Sequence, residues 1–576
     1  MNKLISLKIG GAGGQGVKTS GYITTKAVKD LGYWTFSYSE YPSLIRGGHS
    51  TYQISISDKK VNSVNQKIDI LVALNEETIS LHYQEILKDG ILLLDDNFKV
   101  TSKVRNYLIK NKINIIELTI DEIVKKNNGL PVMANSVITG AIWALITNEY
   151  KVIENQVRHI FKEKSKDTEI NLKCAKDGFD FVKSKNVSCF NLSYNKTKDR
   201  IIGTGNETAG LATFASGCRL YCAYPMTPST GILNYLAQRV DKFGMIVKQA
   251  EDEISAVQYT LGANYAGTRS ACGTSGGGFA LMVESLALSG ITETPLVIFE
   301  SQRPGPATGM PTWTEQGDLA FLSKAGHGEF PRIILTPGDL DEVLELTSTA
   351  FNFSEKYQTP VIVLLDKYLS ESWYQIEKFK DSQIKVKRGQ ILSKEDLLKE
   401  IEYKRYKYTV SGISPRSIPG FKKGIFLANS DEHNEKGYST EDLLIRKQMM
   451  EKRTRKLISI KAELPEPAIY GNKNAKTTVI CWGSVKGPVL DAVNELNKQK
   501  ISINLLHYKI AYPVKTKVLK NLAKKNNLII IENNYSGHLA NLIKEETGID
   551  IKRKITKYAG APFYRDELVD ILKNKI

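Results

Sequence analysis

The chain has no uninterrupted apolar run of the roughly 18 residues that a membrane-spanning helix needs. It also lacks an apolar segment with a small-residue cleavage site near its start. Instead, MNKLISLKIGGAGGQG passes directly into a strand pattern and a glycine-rich loop. We therefore expect no transmembrane helix and no signal peptide, and we predict a cytoplasmic protein.

Cysteine is scarce, and the six cysteines do not form the Cys-x2-Cys-x2-Cys run of an iron–sulfur ligand segment. Cys218 and Cys222 are spaced to share one face of a helix, but two thiolates do not complete a tetrahedral metal site. We predict reduced, buried thiols and no metal site here, so the metal centres of any redox chemistry are expected elsewhere. The remaining cysteines are Cys174, Cys189, Cys272 and Cys481.

Negative charge is in deficit, because 62 Asp and Glu residues stand against 79 Lys and Arg residues, a net charge of +17. Such an excess can serve nucleic acid, acidic proteins or anionic cofactors. The lysines are spread along the chain without a basic stripe, which favours compositional drift over a nucleic-acid surface. The hydrophobic fraction of 41% and the charged fraction of 24% exclude a collagen-like or disordered chain.

The length of 576 residues predicts three or four domains at about 150 residues each. Short apolar runs such as ILVAL, PLVIF and VIVLL alternate with helical patterns, which is typical of parallel sheets in α/β proteins. The pattern divides into three α/β units, 1–188, 201–378 and 465–576. A polar linker joins the first two units, and an arm rich in Lys, Glu and Tyr, 379–464, joins the last two.

A glycine-rich loop, 11–16, fits the G-x-G-x-x-G pattern between the first strand and the first helix. Such glycines let the backbone approach a phosphate at a helix N-terminus, and Glu40, at the end of the next strand, could bind a ribose. A tight turn needs the same glycines without a ligand, so both interpretations stay open. On the following loop, Arg46 and His49 belong either to a polar turn or to an anion-facing surface.

The second unit carries two polar stretches that exceed what local structure needs. In YPMTPST, 224–230, two prolines fix the backbone and would hold Thr227 at a defined point, although a proline-rich helix cap is the alternative. Glu251, Asp252 and Glu253 precede a helix. One acid would satisfy the helix N-terminus, so a functional carboxylate is predicted among the three.

Two further stretches lie where parallel sheets bind ligands. Arg303 follows the strand PLVIF, at the carboxyl edge, and its guanidinium could form a bidentate pair with a carboxylate. The run GTSGGG, 273–278, offers backbone without side chains, which suits either a flat ligand or tight packing.

Taken in order, these motifs resemble the alpha subunit of 2-oxoacid:ferredoxin oxidoreductases, in the form with a gamma domain fused in front. The resemblance covers essentially the whole chain, and its further motifs include GNETA, EDEISAV and QRPGPATGMPTWTEQGDL. In the arm, YKRYKYTVSGISPRSIPG and DEHNEKG look like the 2-oxoglutarate-type members. Met226 stands where Ile is more usual, and GTSGGG lacks a proline that commonly interrupts the glycines.

The resemblance implies a gamma-like domain, a thiamine pyrimidine-binding domain and a transketolase C-terminal-like domain. It also implies conversion of a 2-oxoacid, expected to be 2-oxoglutarate, and coenzyme A to acyl-CoA, CO2 and reduced ferredoxin. Thiamine diphosphate would be shared with a beta subunit that holds Mg²⁺ and a [4Fe-4S] cluster. The implied partners are the beta subunit, ferredoxin and the small-molecule 2-oxoacid, in a heterodimer or dimer of heterodimers, with no nucleic acid and no membrane.

The resemblance also assigns roles to residues. Glu253 matches the glutamate that pairs with the aminopyrimidine nitrogen and favours the imino tautomer. Thr227 and Arg303 match the residues that bind the substrate carboxylate. We expect Arg46 or His49 to meet the distal carboxylate of 2-oxoglutarate. The implied cofactor-binding residues are Glu253, Tyr224, Pro225, Gly276 and Gly277.

Four alternatives remain open at this point. The same enzyme type could use pyruvate or branched-chain 2-oxoacids, or the chain could be a transketolase-like enzyme without electron transfer. An NAD-binding oxidoreductase built on 11–16 leaves the central motifs unexplained. A non-catalytic module, binding nucleic acid, rests on net charge alone.

Overall fold

The computed structural model describes residues 4–44, 47–161, 165–185, 187, 190–195, 199–379 and 384–576. The strands are β1 (Ile5–Ala12), β2 (Trp34–Glu40), β3 (His49–Ser57), β4 (Ile68–Ala73), β5 (Ile86–Asp95), β6 (Asn114–Leu118), β7 (Arg200–Gly203), β8 (Leu220–Ala223), β9 (Ile246–Gln249), β10 (Ser270–Thr274), β11 (Leu296–Gln302), β12 (Ile333–Leu335), β13 (Pro360–Asp366), β14 (Trp373–Glu377), β15 (Ala468–Gly471), β16 (Thr477–Trp482), β17 (Asn504–Tyr508), β18 (Ile510–Tyr512), β19 (Asn527–Glu532) and β20 (Arg553–Thr556).

The helices alternate with these strands along most of the chain. They are α1 (Val17–Asp30), α2 (Glu76–His82), α3 (Ser102–Lys110), α4 (Ile120–Lys126), α5 (Ala134–Ile146), α6 (Tyr150–Ile160), α7 (Ser165–Ser184), α8 (Gly205–Ala215), α9 (Thr230–Ala237), α10 (Val240–Phe243), α11 (Glu253–Tyr265), α12 (Gly276–Leu281), α13 (Val283–Thr292), α14 (Leu319–Lys324), α15 (Leu340–Tyr357), α16 (Lys367–Glu371), α17 (Lys394–Lys399), α18 (Leu443–Glu463), α19 (Lys486–Lys498), α20 (Lys517–Ala523), α21 (His538–Thr547) and α22 (Arg565–Lys575).

The chain forms two compact units. Unit 1 consists of Met1–Gly203, Ser372–Lys378 and Phe563–Ile576, and unit 2 consists of Thr204–Glu371 and Phe379–Pro562. The predicted α/β class is confirmed, because the described strands and helices alternate in both units. The predicted four-part division is a finer statement and stays a prediction.

Unit 1 is built on an eight-stranded sheet in the order β6-β5-β4-β1-β3-β2-β14-β7. Strand β1 pairs in parallel with β4 and antiparallel with β3. The apolar helix α5, predicted from NSVITGAIWALI, is buried along most of its length, because it packs against α7, α1 and α4. The last two strands, β14 and β7, pair with each other from distant parts of the sequence.

Unit 2 contains a seven-stranded sheet, β18-β12-β13-β11-β10-β8-β9, and a five-stranded sheet, β15-β17-β16-β19-β20. In the first sheet, β8, β10, β11 and β13 run in parallel, so the loops after their carboxyl ends share one edge. This edge carries the stretches 224–230, 273–278 and 303–318 that the sequence singles out. The topology therefore gathers the predicted site residues of unit 2.

The cysteine prediction is partly wrong. Cys222 lies on β8, and Cys218 lies two residues before the first residue of that strand. The two cysteines share no helix face, because the apolar run LYCA pairs with β10 as a strand. Five cysteines are buried free thiols, as predicted, and Cys189 lies outside the described residues. Within the described part of the chain, no group of three or more His, Cys, Asp or Glu side chains is arranged to hold a metal ion.

Within the described ranges, none of the helices is at once long enough and apolar enough to cross a membrane. Only a sharply bent pair, Ile120–Lys126 with Pro131–Ile146 at 118°, reaches both when taken together.

Candidate active site

The loop after β8 presents the first predicted site residues. Tyr224 is exposed, whereas Pro225 and Thr227 are half-buried, and a cis peptide bond joins Thr227 to Pro228. The Pro228 carbonyl accepts a hydrogen bond of 2.9 Å from Asn206 Nδ2, which ties the loop to α8. The hydrogen bond thus anchors the loop at Pro228, while Tyr224 is exposed and Pro225 and Thr227 are partly exposed.

Arg303 lies in the loop after β11, a strand that β10 separates from β8 in the sheet, and it contacts the loop after β8. Its Nη1 atom donates a hydrogen bond of 2.7 Å to the backbone carbonyl oxygen of Thr227. Burial lowers the pKa of Arg303, and the nearby Asp318 and Glu300 carboxyl groups oppose that shift. The structure therefore brings together two residues that were predicted to bind one substrate carboxylate.

The three acids before α11 have different surroundings. Asp252 is the helix N-cap, and its carboxylate accepts a hydrogen bond of 2.7 Å from the backbone nitrogen of Ser255. Glu253 begins the helix, is only 3% exposed, and its Oε1 atom has no hydrogen-bond donor among the residues described. Burial, reinforced by the charge of Asp252, raises the pKa of Glu253. Helix capping thus explains Asp252 but not Glu253.

The glycines after β10 let carboxylates approach the backbone. A Cβ atom at Gly278 would lie 2.5 Å from Glu253 Oε1, and one at Gly276 would lie 2.6 Å from Asp318 Oδ2. Gly277 is exposed, and a Cβ there would meet only the Ala307 carbonyl oxygen, at 3.9 Å. The segment therefore holds two acidic side chains on its flanks and leaves an open backbone surface between them.

Two acidic residues of this edge were missed by the sequence analysis. Glu300 lies inside β11, beside Thr274 of β10 and Leu364 of β13, and is fully buried. Asp318 precedes α14, and burial raises its pKa to about 6. The signal for Glu300 was an acid within the apolar run VIFES, whereas nothing local distinguishes Asp318.

The site residues predicted near the N-terminus belong to unit 1. Arg46 lies outside the described residues. His49 opens β3, and its Nε2 atom lies 2.8 Å from Nε2 of His82, whose Nδ1 atom is 2.8 Å from Glu85 Oε1. Lys8 also bonds Glu85, and burial together with His82 lowers the pKa of His49. His49 is therefore the end of a polar chain, not a side chain of a simple turn.

The glycine-rich loop of unit 1 borders a cavity of about 350 Å³. Gly16, with φ of 81°, caps α1, and Gly13 donates to the Gly48 carbonyl oxygen at 3.1 Å. Glu40 ends β2, as predicted, and its carboxylate accepts a hydrogen bond of 3.4 Å from Thr51 Oγ1. The tight turn is present, and the cavity leaves room for a ligand beside it.

Comparison with known proteins identifies the family. The model described as "Pyruvate flavodoxin/ferredoxin oxidoreductase, thiamine diP-bdg" matches residues 212–452, and "Pyruvate ferredoxin/flavodoxin oxidoreductase" matches residues 6–181. The 2-oxoacid:ferredoxin oxidoreductase subunit alpha of Sulfolobus sp is 35% identical over 99% of this chain and 96% of its own. The chain belongs to the 2-oxoacid:ferredoxin oxidoreductase alpha subunits.

Two other relatives fit this family. The 2-oxoglutarate synthase subunit KorA of Methanocaldococcus jannaschii is 31% identical over 56% of this chain and 86% of its own. A solved 2-oxoglutarate:ferredoxin oxidoreductase from Magnetococcus marinus, with 2-oxoglutarate, coenzyme A and succinyl-CoA bound, covers 100% of both chains with a TM-score of 0.93 and 28% identity. The predicted family, fold class and enzyme type, an oxidoreductase, are confirmed.

Proposed function

We propose that this alpha subunit acts in a thiamine diphosphate-dependent complex that converts 2-oxoglutarate and coenzyme A to succinyl-CoA, CO2 and reduced ferredoxin. The family membership and the oxidoreductase activity support the reaction type. The names and bound molecules of the relatives support the substrate. The single observation that carries the proposal is the buried Glu253 carboxyl group, whose Oε1 atom, beside Gly278, receives no hydrogen bond from the described residues.

The residues at this edge fit an aminopyrimidine ring. Glu253 offers a carboxyl oxygen to which no donor in the described part of the chain is bonded, and a side chain at Gly278 would fill the space beside it. The open backbone at Gly277 suits a flat ring, and Tyr224, Pro225 and Gly276 are our further candidates for contact with the cofactor. When bound, thiamine diphosphate supplies a carbon nucleophile for the 2-oxoacid carbonyl and an electron sink for the loss of CO2.

Glu253 would hold and move a proton at its Oε1 atom. Its pKa is raised by burial, so the carboxyl group keeps a proton at a higher pH than an exposed glutamate does. A group whose pKa lies nearer to the working pH exchanges protons more effectively in both directions. The burial of Glu253 thus suits it to protonate and deprotonate a ring nitrogen.

Arg303 and Thr227 would orient the substrate. The hydrogen bond from Arg303 to the Thr227 carbonyl oxygen uses one guanidinium nitrogen and fixes the plane of the group. The fork geometry of arginine suits a carboxylate, and the Thr227 hydroxyl can donate to the same anion. Binding the 2-oxoacid by its carboxylate would present its carbonyl carbon in one orientation.

The assignment of the distal carboxylate to Arg46 or His49 remains our proposal. His49 already contacts His82, and its lowered pKa makes it a neutral hydrogen-bonding group at pH 7. Of the two residues, the always-charged Arg46 is the better partner for an anion. Exchange of Arg46 for leucine should shift the preference from 2-oxoglutarate towards pyruvate, whereas His49→Leu alone should shift it less.

The complex would contain further components. We propose a beta subunit that carries Mg²⁺ and a [4Fe-4S] cluster, ferredoxin as electron acceptor, and a heterodimer or dimer of heterodimers in the cytoplasm. We also retain the division into a gamma-like domain (1–188), a pyrimidine-binding domain (201–378), an arm (379–464) and a transketolase C-terminal-like domain (465–576). Tagged alpha subunit isolated from its own host should retain a partner chain with iron and acid-labile sulfide.

A substrate panel with the isolated complex tests the proposed function. We expect coenzyme A-dependent ferredoxin reduction with 2-oxoglutarate, and slower reduction with pyruvate or branched-chain 2-oxoacids. Faster reduction with pyruvate would change the assigned substrate from 2-oxoglutarate to pyruvate and leave the family assignment as it is. Product formation without ferredoxin reduction would instead favour transketolase-like chemistry.

A further inference from the structure

Two carboxyl groups meet close enough to Arg303 to feel its charge. Glu300 is fully buried within β11, and no N–H or hydroxyl donor of the described residues reaches either of its carboxyl oxygens. The Asp318 carboxyl group lies within hydrogen-bonding reach of Glu300. Asp318 is fixed by its own backbone nitrogen, which donates to Gln302 Oε1 at 3.0 Å, and by its close approach to Gly276.

This arrangement requires a proton between the two groups. A buried carboxylate without a donor is strongly disfavoured, and two touching carboxylates cannot both stay ionised. Burial and Asp318 raise the pKa of Glu300 well above its usual range, whereas the pKa of Asp318 rises only to about 6. Glu300 therefore keeps the proton near neutral pH, and its O–H donates a hydrogen bond to the Asp318 carboxylate.

Side chains of both positive and negative charge surround the Glu300–Asp318 pair. Arg303 lies close enough to lower the pKa of both carboxyl groups. Asp366, at the end of β13, opposes ionisation of Glu300, and the half-buried Glu315 lies near Asp318. With Glu300 protonated, the pair carries one negative charge against the one positive charge of Arg303.

We propose that Glu300 is a protonated positioning residue, whose O–H donates to Asp318 so that the singly charged pair orients Arg303 towards the 2-oxoacid carboxylate. The role of Arg303 in this statement rests on the proposed function. The shared proton itself does not. Loss of the proton would add a second negative charge near Arg303. That charge would weaken the attraction of the Arg303 guanidinium for the substrate anion.

Kinetics of the complete enzyme separate this role from simple packing. Glu300→Gln keeps an N–H donor and no charge, so we expect KM for the 2-oxoacid to stay within about threefold of wild type near neutral pH. Glu300→Ala removes the donor and leaves a cavity, so KM should rise at least about tenfold. Asp318→Asn removes the carboxylate that orients Arg303 in this proposal, so KM should also rise, even though the site then carries less negative charge. Glu315→Gln, the neighbouring control, should leave KM unchanged.

The pH dependence supplies a second kinetic readout. In the wild type, KM should rise on the alkaline side as Glu300 ionises, and in Glu300→Gln this rise should disappear because the amide does not titrate. A Glu300→Gln enzyme with the KM of Glu300→Ala, or with the wild-type alkaline rise, would overturn the proposal.

Infrared spectroscopy tests the shared proton without activity. Because other buried carboxyl groups also have raised pKa values, the readout is the difference spectrum between wild type and Glu300→Gln at neutral pH, which should show the loss of one protonated-carboxyl band. A difference spectrum without such a loss would contradict protonation of Glu300. If the band behaves as expected but KM does not, the shared proton stands and the assigned role of Arg303 fails.

Discussion

Arg303 donates a hydrogen bond of 2.7 Å to the carbonyl oxygen of Thr227, a residue 76 positions earlier in the chain. The bond joins the loop after β8 to the loop after β11, across the intervening strand β10. Because it uses only one guanidinium nitrogen, the rest of the fork can face an anion. The relationship thus links the two residues assigned to the substrate carboxylate.

Replacement of Arg303 should damage substrate binding and turnover together. Arg303→Lys keeps the charge but loses the planar fork, so we expect kcat/KM for the 2-oxoacid to fall about 10- to 100-fold, with Arg303→Ala lower still. Arg239→Ala is the matched control, because Arg239 also donates to a backbone carbonyl, that of Tyr235 at 3.0 Å. An Arg303→Ala enzyme with unchanged KM would make Arg303 a purely structural residue.

Gly278 is expected to matter because of its closeness to Glu253. In Gly278→Ala, the new methyl group would sit 2.1 Å from Thr274 Oγ1 and 2.5 Å from Glu253 Oε1, so it would displace the Glu253 carboxyl group along with the Thr274 hydroxyl. The affinity for thiamine diphosphate, measured by calorimetry on the complex, should fall at least about tenfold. Gly262→Ala, in the same helix as Glu253 and with open space around it, should leave the affinity unchanged and raise stability by about 0.5–1 kcal/mol. Equal affinities of the two variants would exclude the assigned cradle.

Gln316 anchors the loop that carries Arg303 and Asp318. Its side chain donates to the Trp482 carbonyl oxygen at 3.0 Å and accepts from the Asn533 backbone nitrogen at 3.1 Å. Gln316→Ala leaves both buried groups unpaired, which should cost about 2–5 kcal/mol of stability and raise KM through a looser loop. Thermal unfolding and steady-state kinetics measure the two effects. A destabilised variant with wild-type KM would separate the loop anchor from substrate binding.

The arm contains a pH-dependent ion pair. Burial alone would raise the pKa of Glu432, but hydrogen bonds from Arg453 and Arg446 lower it to about 2. Because the folded-state pKa lies below the ordinary value of 4.5, the stabilisation is complete above pH 4.5 and is lost as pH falls towards 2. The denaturant midpoint of Glu432→Gln should therefore lie below that of wild type at pH 7 and approach it as the pH falls below 4. A difference that is independent of pH would rule out the ion pair as its cause.

The strands of the fold could be predicted from the sequence because each one is a short apolar run. PLVIF, PVIVLLD and TTVICW became β11, β13 and β16, and the helix of NSVITGAIWALI became α5. The pairing of β14 with β7 could not be predicted, because it depends on chain segments about 170 residues apart that carry no local signal of their partner. For the same reason the spacing of Cys218 and Cys222 could not exclude a shared helix face, since only the pairing of LYCA with β10 makes that run a strand.

Residues that stand in a motif could be singled out from the sequence, whereas residues that only the fold brings together could not. Thr227, Glu253 and Arg303 stand in recognisable stretches, and the structure places Arg303 on Thr227. The contact of Glu300 with Asp318 requires the chain to return to β11 after a long loop, so no spacing rule indicates it. Similarly, the chain from His49 through His82 to Glu85 joins a strand to a separate helix and the turn that follows it.

The most direct test of the account is the reaction of the Glu253→Ala complex. Ferredoxin or dye reduction by the purified alpha and beta subunits would be followed with 2-oxoglutarate and coenzyme A, with Asp252→Ala as the control. We predict that Glu253→Ala assembles normally but loses reduction by more than about 100-fold. Asp252→Ala should lose about 1 kcal/mol of stability and keep its turnover. Normal turnover in Glu253→Ala would contradict the assignment of thiamine diphosphate chemistry to this carboxyl group.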